Sequence, residues 1–464
     1  MKEVTNKWLE LVIVLAAPLL SVIDVFIINV AIPTIKKGVH GTDAEMQLVI
    51  AGYLLGYAAF LITGGRAGDH FGRKKVFFWG MFAFTVASCL CGLSNSALQL
   101  NVTRFFQGLS ASFMVPQTIA FIQVLFTDTK ERAKAFGLYG ITLGTAAAIG
   151  QILGGYLSDT HWVIEGWRLI FFINLPIGII TLWATHKYVT ETQKHQNTKF
   201  DYIGISILTL ALFSLIYPLI QGREAGWPLW SLGLIVSSGC LFLFFIYNQK
   251  NKLSRNENPL IDVRLFQIKD FNIGLVAVLF HFMLHTAYLL LSAVYLQNGL
   301  GVSALDCGLY FIAPGILFIA SSVIASRMII IFGKRVLQFG VTILALAFYL
   351  QMELWKPGIS TGLIIGLMAL WGFGNGLVLP SLLNIALKNV PQQYAGAAAG
   401  IYSTFQQTAS ALGVSIIGGV FFYFSKNGWQ AAYQAGIIGI LTCVVLVGIM
   451  LYLLPGKKAV SGDQ

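Results

Sequence analysis

The chain has 464 residues, of which 56% are apolar and only 11% charged. A soluble globular protein carries about 25% charged residues, so this chain lacks the polar surface to face water on all sides, and a bilayer is the solvent it implies. Its formal net charge of +11 does not point to nucleic acid, because the basic residues sit in short clusters between long apolar runs.

A helix needs about 20 apolar residues to cross the hydrocarbon core. Fourteen runs qualify, near residues 8–32, 46–65, 76–94, 98–124, 133–157, 167–187, 202–221, 230–250, 271–297, 305–330, 336–355, 360–387, 396–424 and 432–454. The first, from Trp8 to Ile32, is too long for the core of a cleavable signal and reads as a membrane span. The pattern therefore predicts an all-α integral membrane fold. Cys89, Cys91, Cys240, Cys307 and Cys443 lie in or beside apolar runs without metal-ligand spacing, so they read as packing residues.

The basic residues set the orientation. With both termini cytoplasmic, Lys2 and Lys7, the cluster Arg66, Arg73, Lys74 and Lys75, Lys130, Arg132 and Lys134, and Lys187, Lys194 and Lys199 fall on the inner side. So do Lys250, Lys252, Arg255, Arg264 and Lys269, then Arg327, Lys334 and Arg335, then Lys388, Lys457 and Lys458. Only Lys36, Lys37, Arg168, Arg223, Lys356 and Lys426 fall outside, and Arg104 lies inside a span. Such asymmetry follows the positive-inside rule and requires an even number of spans.

An internal repeat divides the chain. Arg66, Phe71, Gly72, Arg73 and Lys74 recur as Arg327, Phe332, Gly333, Lys334 and Arg335, an offset of 261. Gly108 and Pro116 recur as Gly372 and Pro380, and Gly154-Gly155 as Gly418-Gly419, both at 264. The predicted architecture is 6+2+6: a six-helix bundle over 1–190, two additional central helices over 200–252, and a second six-helix bundle over 268–455. Pseudo-symmetric halves of this kind imply a pathway opened to alternate sides by rocking.

Ionisable residues inside spans are costly and mark function. Asp24 lies about 16 residues into the first span, roughly 24 Å along the helix axis. A carboxylate in low-dielectric surroundings takes up a proton more readily than in water, and it attracts cations. Arg104, in the fourth span, has Met368 as its counterpart in the repeat and needs carboxylate or carbonyl partners. Asp69 and Arg73 are placed on the inner loop after span 2, where an acid beside helix ends latches one conformational state; its counterpart is Ile330. Gly137, Gly140, Gly144, Gly150, Gly154 and Gly155 give span 5 a close-packing surface. His281 and His285 lie one turn apart, and the 261 offset sets His285 opposite Asp24. Trp371 replaces Gln107 in the repeat and suits flat lipophilic cations. Asp306 and Glu353 read as interfacial, and Glu10 as an inner-mouth residue. No metal cluster, nucleophile triad or phosphate loop appears, so neither catalysis nor a cofactor is expected.

These residues resemble the major facilitator superfamily, in its fourteen-helix drug:proton antiporter branch. Gly65-Arg-Ala-Gly-Asp69-His-Phe-Gly72-Arg73-Lys74 is similar to the inner-loop signature, and Arg104-Phe-Phe-Gln107-Gly108 to the span-4 signature whose arginine the family links to proton coupling. Leu20 to Pro33 with Asp24 and Asn29, Trp167 to Gly178 with Asn174, and Asn258 to Phe266 resemble the branch. Gly150-Gln151-Ile-Leu-Gly154-Gly155 departs from the antiporter signature by placing Gln where proline is usual. The resemblance implies a major facilitator fold and a monomeric, proton-coupled multidrug efflux antiporter of the cell membrane. It would export lipophilic, often cationic compounds and hold no nucleic acid. The expected roles are proton coupling by Asp24 and Arg104, and a substrate cavity of Asp24, Asn29, Gln107, Asn174, His285, Trp371 and Gln407. Gly65, Asp69, Gly72 and Arg73 would form the latch, and Gly144, Gly150, Gly154 and Gly155 the helix packing. Proton-coupled export of a native lipid, metabolite or amino acid is the alternative, and a membrane enzyme or non-transporting sensor ranks last.

Overall fold

The computed structural model describes residues 7–158, 160, 165–191, 201–255, 257, 259–387, 390 and 395–454. Lys2, Lys194, Lys199, Lys388, Lys457 and Lys458 of the charge pattern, and Asn258 of the branch motif, lie outside the described residues. Among the described residues, fourteen helices are long and apolar enough to cross a membrane. They are α1 (Lys7–Gly38), α2 (Asp43–Phe71), α3 (Arg73–Gly92), α4 (Ala97–Leu125), α5 (Lys130–Ser158), α6 (Gly166–Tyr188) and α7 (Tyr202–Gly222). Then follow α8 (Leu229–Ser254), α9 (Lys269–Asn298), α10 (Ala304–Ile329), α11 (Arg335–Leu354), α12 (Thr361–Leu382), α13 (Ala398–Asn427) and α14 (Trp429–Leu453).

Local chemistry sets the ends of these helices. Thr42 and Glu45 form a reciprocal capping box at α2, Thr42 accepting from the Glu45 N–H at 3.2 Å and Glu45 from the Thr42 N–H at 2.8 Å. Ser96 caps α4 by accepting from the Gln99 N–H. α2 outruns its predicted end at 65 and reaches Phe71, so Asp69 sits in its last turn and not in a loop. Arg73 already opens α3, and Gly72 alone joins the two helices at φ +102°. Gly333, its counterpart in the repeat, also has a positive φ, +57°, a conformation that glycine adopts without the Cβ penalty. α1 likewise runs beyond Pro33 to Gly38, carrying Lys36 and Lys37 in its last turn.

The chain separates into two compact units. The first comprises residues through Asp262 with Ser303–Leu309, and the second Val263–Val302 and the residues from Tyr310 on. In the first, α2 packs closely on α4, α3 on α4, and α1 on α5; α7 and α8 pair with each other, and α7 leans on α2. In the second, α10 packs on α12, α11 on α12, and α9 on α13 and α14. The packing repeats as the sequence does. A Cβ at Gly108 would strike the Tyr53 backbone carbonyl, and one at Gly372 the Pro314 carbonyl; Tyr53 and Pro314 are 261 residues apart. Outward faces remain apolar, as with Trp79, Phe82, Val86 and Leu90 on α3, which is the surface a lipid-facing helix needs.

Candidate functional site

In the first unit, five helices converge on Asp24, which is fully buried in the middle of α1. Arg104 of α4, 1% exposed, forms an ion pair with Asp24 through Nη1 and Oδ2. Gln107, one turn further along α4, donates from Nε2 to Asp24 Oδ1 at 2.7 Å and accepts from Arg104 Nη1 at 2.7 Å. Asn174 of α6 donates to Asp24 Oδ1 at 3.4 Å and to Ser88 Oγ of α3 at 2.9 Å. Ser88 in turn donates to the Phe171 carbonyl at 2.9 Å. α2 contributes the Val49 carbonyl, which accepts from Arg104 Nε at 3.0 Å, and the Tyr53 ring, 4.4 Å from the guanidinium carbon. The Tyr53 hydroxyl and Ser21 Oγ of α1 share a hydrogen bond of 2.8 Å.

Each charge is thus matched. Both Asp24 oxygens are engaged, and Arg104 has a carboxylate, a carbonyl, an amide oxygen and a ring face. A buried ion pair survives desolvation only with this kind of supporting hydrogen bonding. The chemical consequence is specific: a proton on Asp24 would cancel the negative charge and leave Arg104 held by neutral groups alone.

Of the residues expected in the cavity, Asp24, Gln107 and Asn174 meet here, whereas Asn29 does not. Asn29 donates from Nδ2 to the Val25 carbonyl of its own helix at 2.9 Å, and its buried Oδ1 meets no donor among the described residues. Ser88, Tyr53 and the Val49 carbonyl were not singled out by sequence reasoning; the one available signal was a polar serine inside an apolar span.

His285 and Trp371 lie in the second unit. Their rings stack with centroids 5.7 Å apart and planes 19° from parallel. Asn375, also unforeseen, bridges the histidine pair: its Oδ1 lies 3.0 Å from His281 Nε2, and its Nδ2 is 3.2 Å from His285 Nδ1. Gln407 is half-buried on α13, and no described hydrogen bond ties it to this group.

The inner-loop motif forms a short junction. Asp69 accepts from Arg73 Nη2 at 2.9 Å, and Arg73 Nη1 donates to the Ala120 carbonyl of α4 at 2.8 Å. Glu191 accepts from the N–H groups of Lys74 and Lys75 at 3.0 and 3.2 Å, occupying the N-terminus of α3. Gly65 faces open space. The glycines of α5 divide: Gly150 and Gly154 lie against the α1 backbone at Ile23 and Ile27, and Gly155 against Ala304, while Gly137 and Gly140 have no neighbour within 4 Å. Gly144 is half-buried on the same helix.

A second polar cluster, at the base of the central pair, was not expected. Asp201 caps α7 by accepting from the Gly204 N–H at 2.6 Å. It also accepts from Lys252 Nζ at 2.5 Å, Gln249 Nε2 at 2.8 Å and the Leu260 N–H at 3.1 Å. Burial alone would raise this carboxyl; the four donors outweigh it and hold it below the usual carboxylate range. Arg66 of α2 donates to the Pro259 carbonyl at 2.6 Å, so the segment resembling the branch motif is tied to both α2 and the central pair.

Fourteen apolar helices among the described residues, and a matched charge pair buried among five of them, define a polytopic membrane transporter, since intramembrane ionisable residues mark substrate and ion pathways. The chain belongs to the Major Facilitator Superfamily, whose family model matches residues 14–414 and 275–464. It is 32% identical over 423 residues to a probable actinorhodin transporter of Streptomyces coelicolor, covering 90% of this chain and 73% of that one. It is 30% identical over 405 residues to the multidrug resistance protein Stp of Mycobacterium tuberculosis, covering 86% and 73%. A crystal structure of a bacterial homolog of the human lysosomal transporter Spinster, inward-facing and occupied, shares the fold with a TM-score of 0.69 at 15% identity, over 98% of this chain and 97% of that one.

Proposed function

We propose that the chain is a proton-coupled exporter of lipophilic small molecules in the cell membrane, with both termini cytoplasmic. The observation that carries this reading is the Asp24 cluster: one buried carboxylate held by Arg104, Gln107 and Asn174. The relatives named for actinorhodin transport and multidrug resistance support export as the direction and lipophilic compounds as the cargo.

Protonation of Asp24 weakens its hold on α4 and α6, and deprotonation restores it. Substrate and proton need not touch; each need only favour a different state of one conformational equilibrium. Bundles 1–190 and 268–455 are the moving halves, and the helices of 200–252 are an addition to them. Asp24, Asn29, Gln107 and Asn174 in the first unit, and His285, Trp371 and Gln407 in the second, are the substrate-facing residues on this reading, and Gly144, Gly150, Gly154 and Gly155 let helices slide at close range. Gly65, Asp69, Gly72 and Arg73 form the latch, through the pairing of Asp69 with Arg73. The working unit is a monomer in lipid, without cofactor or catalysis.

The test uses purified protein in vesicles loaded with a pH-sensitive dye, for the native chain and Asp24→Asn. Addition of ethidium or N-methylacridone to native vesicles is expected to drive proton movement, and an imposed proton gradient to drive probe movement. Asp24→Asn is expected to lose both while inserting normally. Full proton-driven transport by Asp24→Asn would sink the mechanism. Transport of neither probe by folded native protein would favour a native lipid, metabolite or amino acid as cargo.

A further inference from the structure

The repeat places different chemistry at matched positions of the two units. His285 stands where the offset of 261 puts Asp24, and Trp371 where the offset of 264 puts Gln107. The matched residues touch in both units: Gln107 donates to Asp24, and Trp371 stacks on His285. Tyr288 meets the Trp371 ring at 4.4 Å and Phe348 at 5.2 Å, so an aromatic wall replaces a salt bridge.

Two features of that wall bear on what it binds. One amide spans both imidazoles, Asn375 Nδ2 lying 3.2 Å from His285 Nδ1 and Oδ1 3.0 Å from His281 Nε2. The Trp371 side chain is only 5% exposed, yet its indole N–H meets no acceptor among the described residues. Buried donors are nearly always paired, and one that is not calls for an explanation. An indole N–H only donates, so what satisfies it is an acceptor oxygen or nitrogen.

A free carboxylate beside the wall would favour a cation by neutralising its charge in the membrane. Among the described residues of the fourteen helices, Asp24 is the one acid away from the ends; every other lies within three residues of a helix terminus. Asp24 is already committed, one oxygen to Arg104 and the other to Gln107 and Asn174. Glu10, near the start of α1, is taken by Thr190.

We propose that the site holding His285 and Trp371 takes an uncharged, planar aromatic compound bearing a carbonyl or similar acceptor oxygen, in preference to a cation. This rests on the reading that these residues belong to the substrate site. The ring system lies against the imidazole–indole wall, and the oxygen accepts from the Trp371 N–H.

A matched pair of probes isolates charge from shape. N-methylacridone is neutral and carries a carbonyl; N-methylacridinium has the same tricyclic frame and a permanent positive charge. Binding is measured on the full chain in nanodiscs of neutral lipid, without any gradient. N-methylacridone is expected to bind at least about tenfold more tightly than N-methylacridinium. Trp371→Phe keeps a ring and removes the donor, and is expected to weaken N-methylacridone by about five- to tenfold, the worth of one hydrogen bond, while leaving N-methylacridinium unchanged. Equal or tighter binding of the cation overturns the proposal even if the variant fails to fold. So does an unchanged affinity of folded Trp371→Phe for N-methylacridone. Selective binding of N-methylacridone without proton-driven transport would sink the exporter reading and leave this one standing. Gradient-driven export with cation-preferring binding would do the reverse.

Discussion

The buried pair of Asp24 and Arg104 makes a quantitative prediction about stability. Removing one member of a buried ion pair leaves the other uncompensated and costs about 3–5 kcal/mol. Asp24→Asn keeps the shape and strands Arg104. That cost is reduced, because Arg104 retains the Val49 carbonyl, Gln107 Oε1 and the Tyr53 ring face at 4.4 Å, and a desolvated cation–π contact is worth about 2 kcal/mol. Arg104→Met, the residue the repeat carries at the matched position, strands Asp24 with only the amides of Gln107 and Asn174. It should therefore be the more damaging single change, near the full range. The double variant leaves no charge and should recover at least half of the summed losses. At about 2 °C per kcal/mol for large chains, Arg104→Met should lower the unfolding midpoint by about 6 °C or more. Thermal unfolding of the four proteins in one detergent, followed by size-exclusion fluorescence, completes the cycle. Losses that simply add would refute the argument, because they would mean that the two charges do not sense each other.

Further expectations follow from other contacts. Gly108→Val should abolish folded protein, because the new side chain would strike the Tyr53 backbone, whereas Gly137→Ala should be silent, because nothing lies within 4 Å; yields of monodisperse protein separate the two. Asp201 is held below the usual carboxylate range by its donors, so its contribution to stability is present at neutral pH and fades as pH falls through that lowered value. The gap in unfolding midpoint between native protein and Asp201→Asn should therefore narrow below about pH 4, and a gap unchanged by acid would contradict it. Gln151 is 3% exposed and neither of its amide atoms has a partner among the described residues. Gln151→Leu should stabilise the chain by about 1–3 kcal/mol through removal of that unpaired amide, and a lower midpoint would show that the amide is engaged.

Much of the architecture was legible because the bilayer constrains it so tightly. Spans must be long, apolar and helical, so hydropathy finds all fourteen. Their ends were less visible, for a physical reason: helices continue past the apolar window wherever polar groups can cap them. Asp69 was expected in a loop because the sequence around it is polar, yet helix α2 carries it to within two residues of Phe71. Gly72 makes the turn alone, and Glu191, more than a hundred residues away, satisfies the first N–H groups of α3. Nothing local in the sequence announces that partner. The cluster around Asp201 escaped notice for a similar reason, since its members Gln249, Lys252 and Leu260 come from a helix and a connecting segment that look unremarkable alone.

The site was half legible, and the repeat explains which half. Asp24 and Arg104 stood out because charge inside an apolar span has no cheap structural excuse. Ser88 and Asn375 did not stand out, because small neutral polar residues are common in spans, where they bond their own helix as Asn29 does with Val25. What distinguishes them is their partner across a helix interface, which only the fold supplies. The same comparison shows where the two halves are free to diverge. One glycine pair that admits a neighbouring backbone is repeated, Gly108 with Gly372, because helix approach demands it there. The site residues are not: Gln107 becomes Trp371 and Asp24 becomes His285. Packing holds that glycine in both units, while the neighbouring site positions differ. On the proposed mechanism, a charged cluster in one unit and an aromatic wall in the other let one group take the proton and another take the cargo.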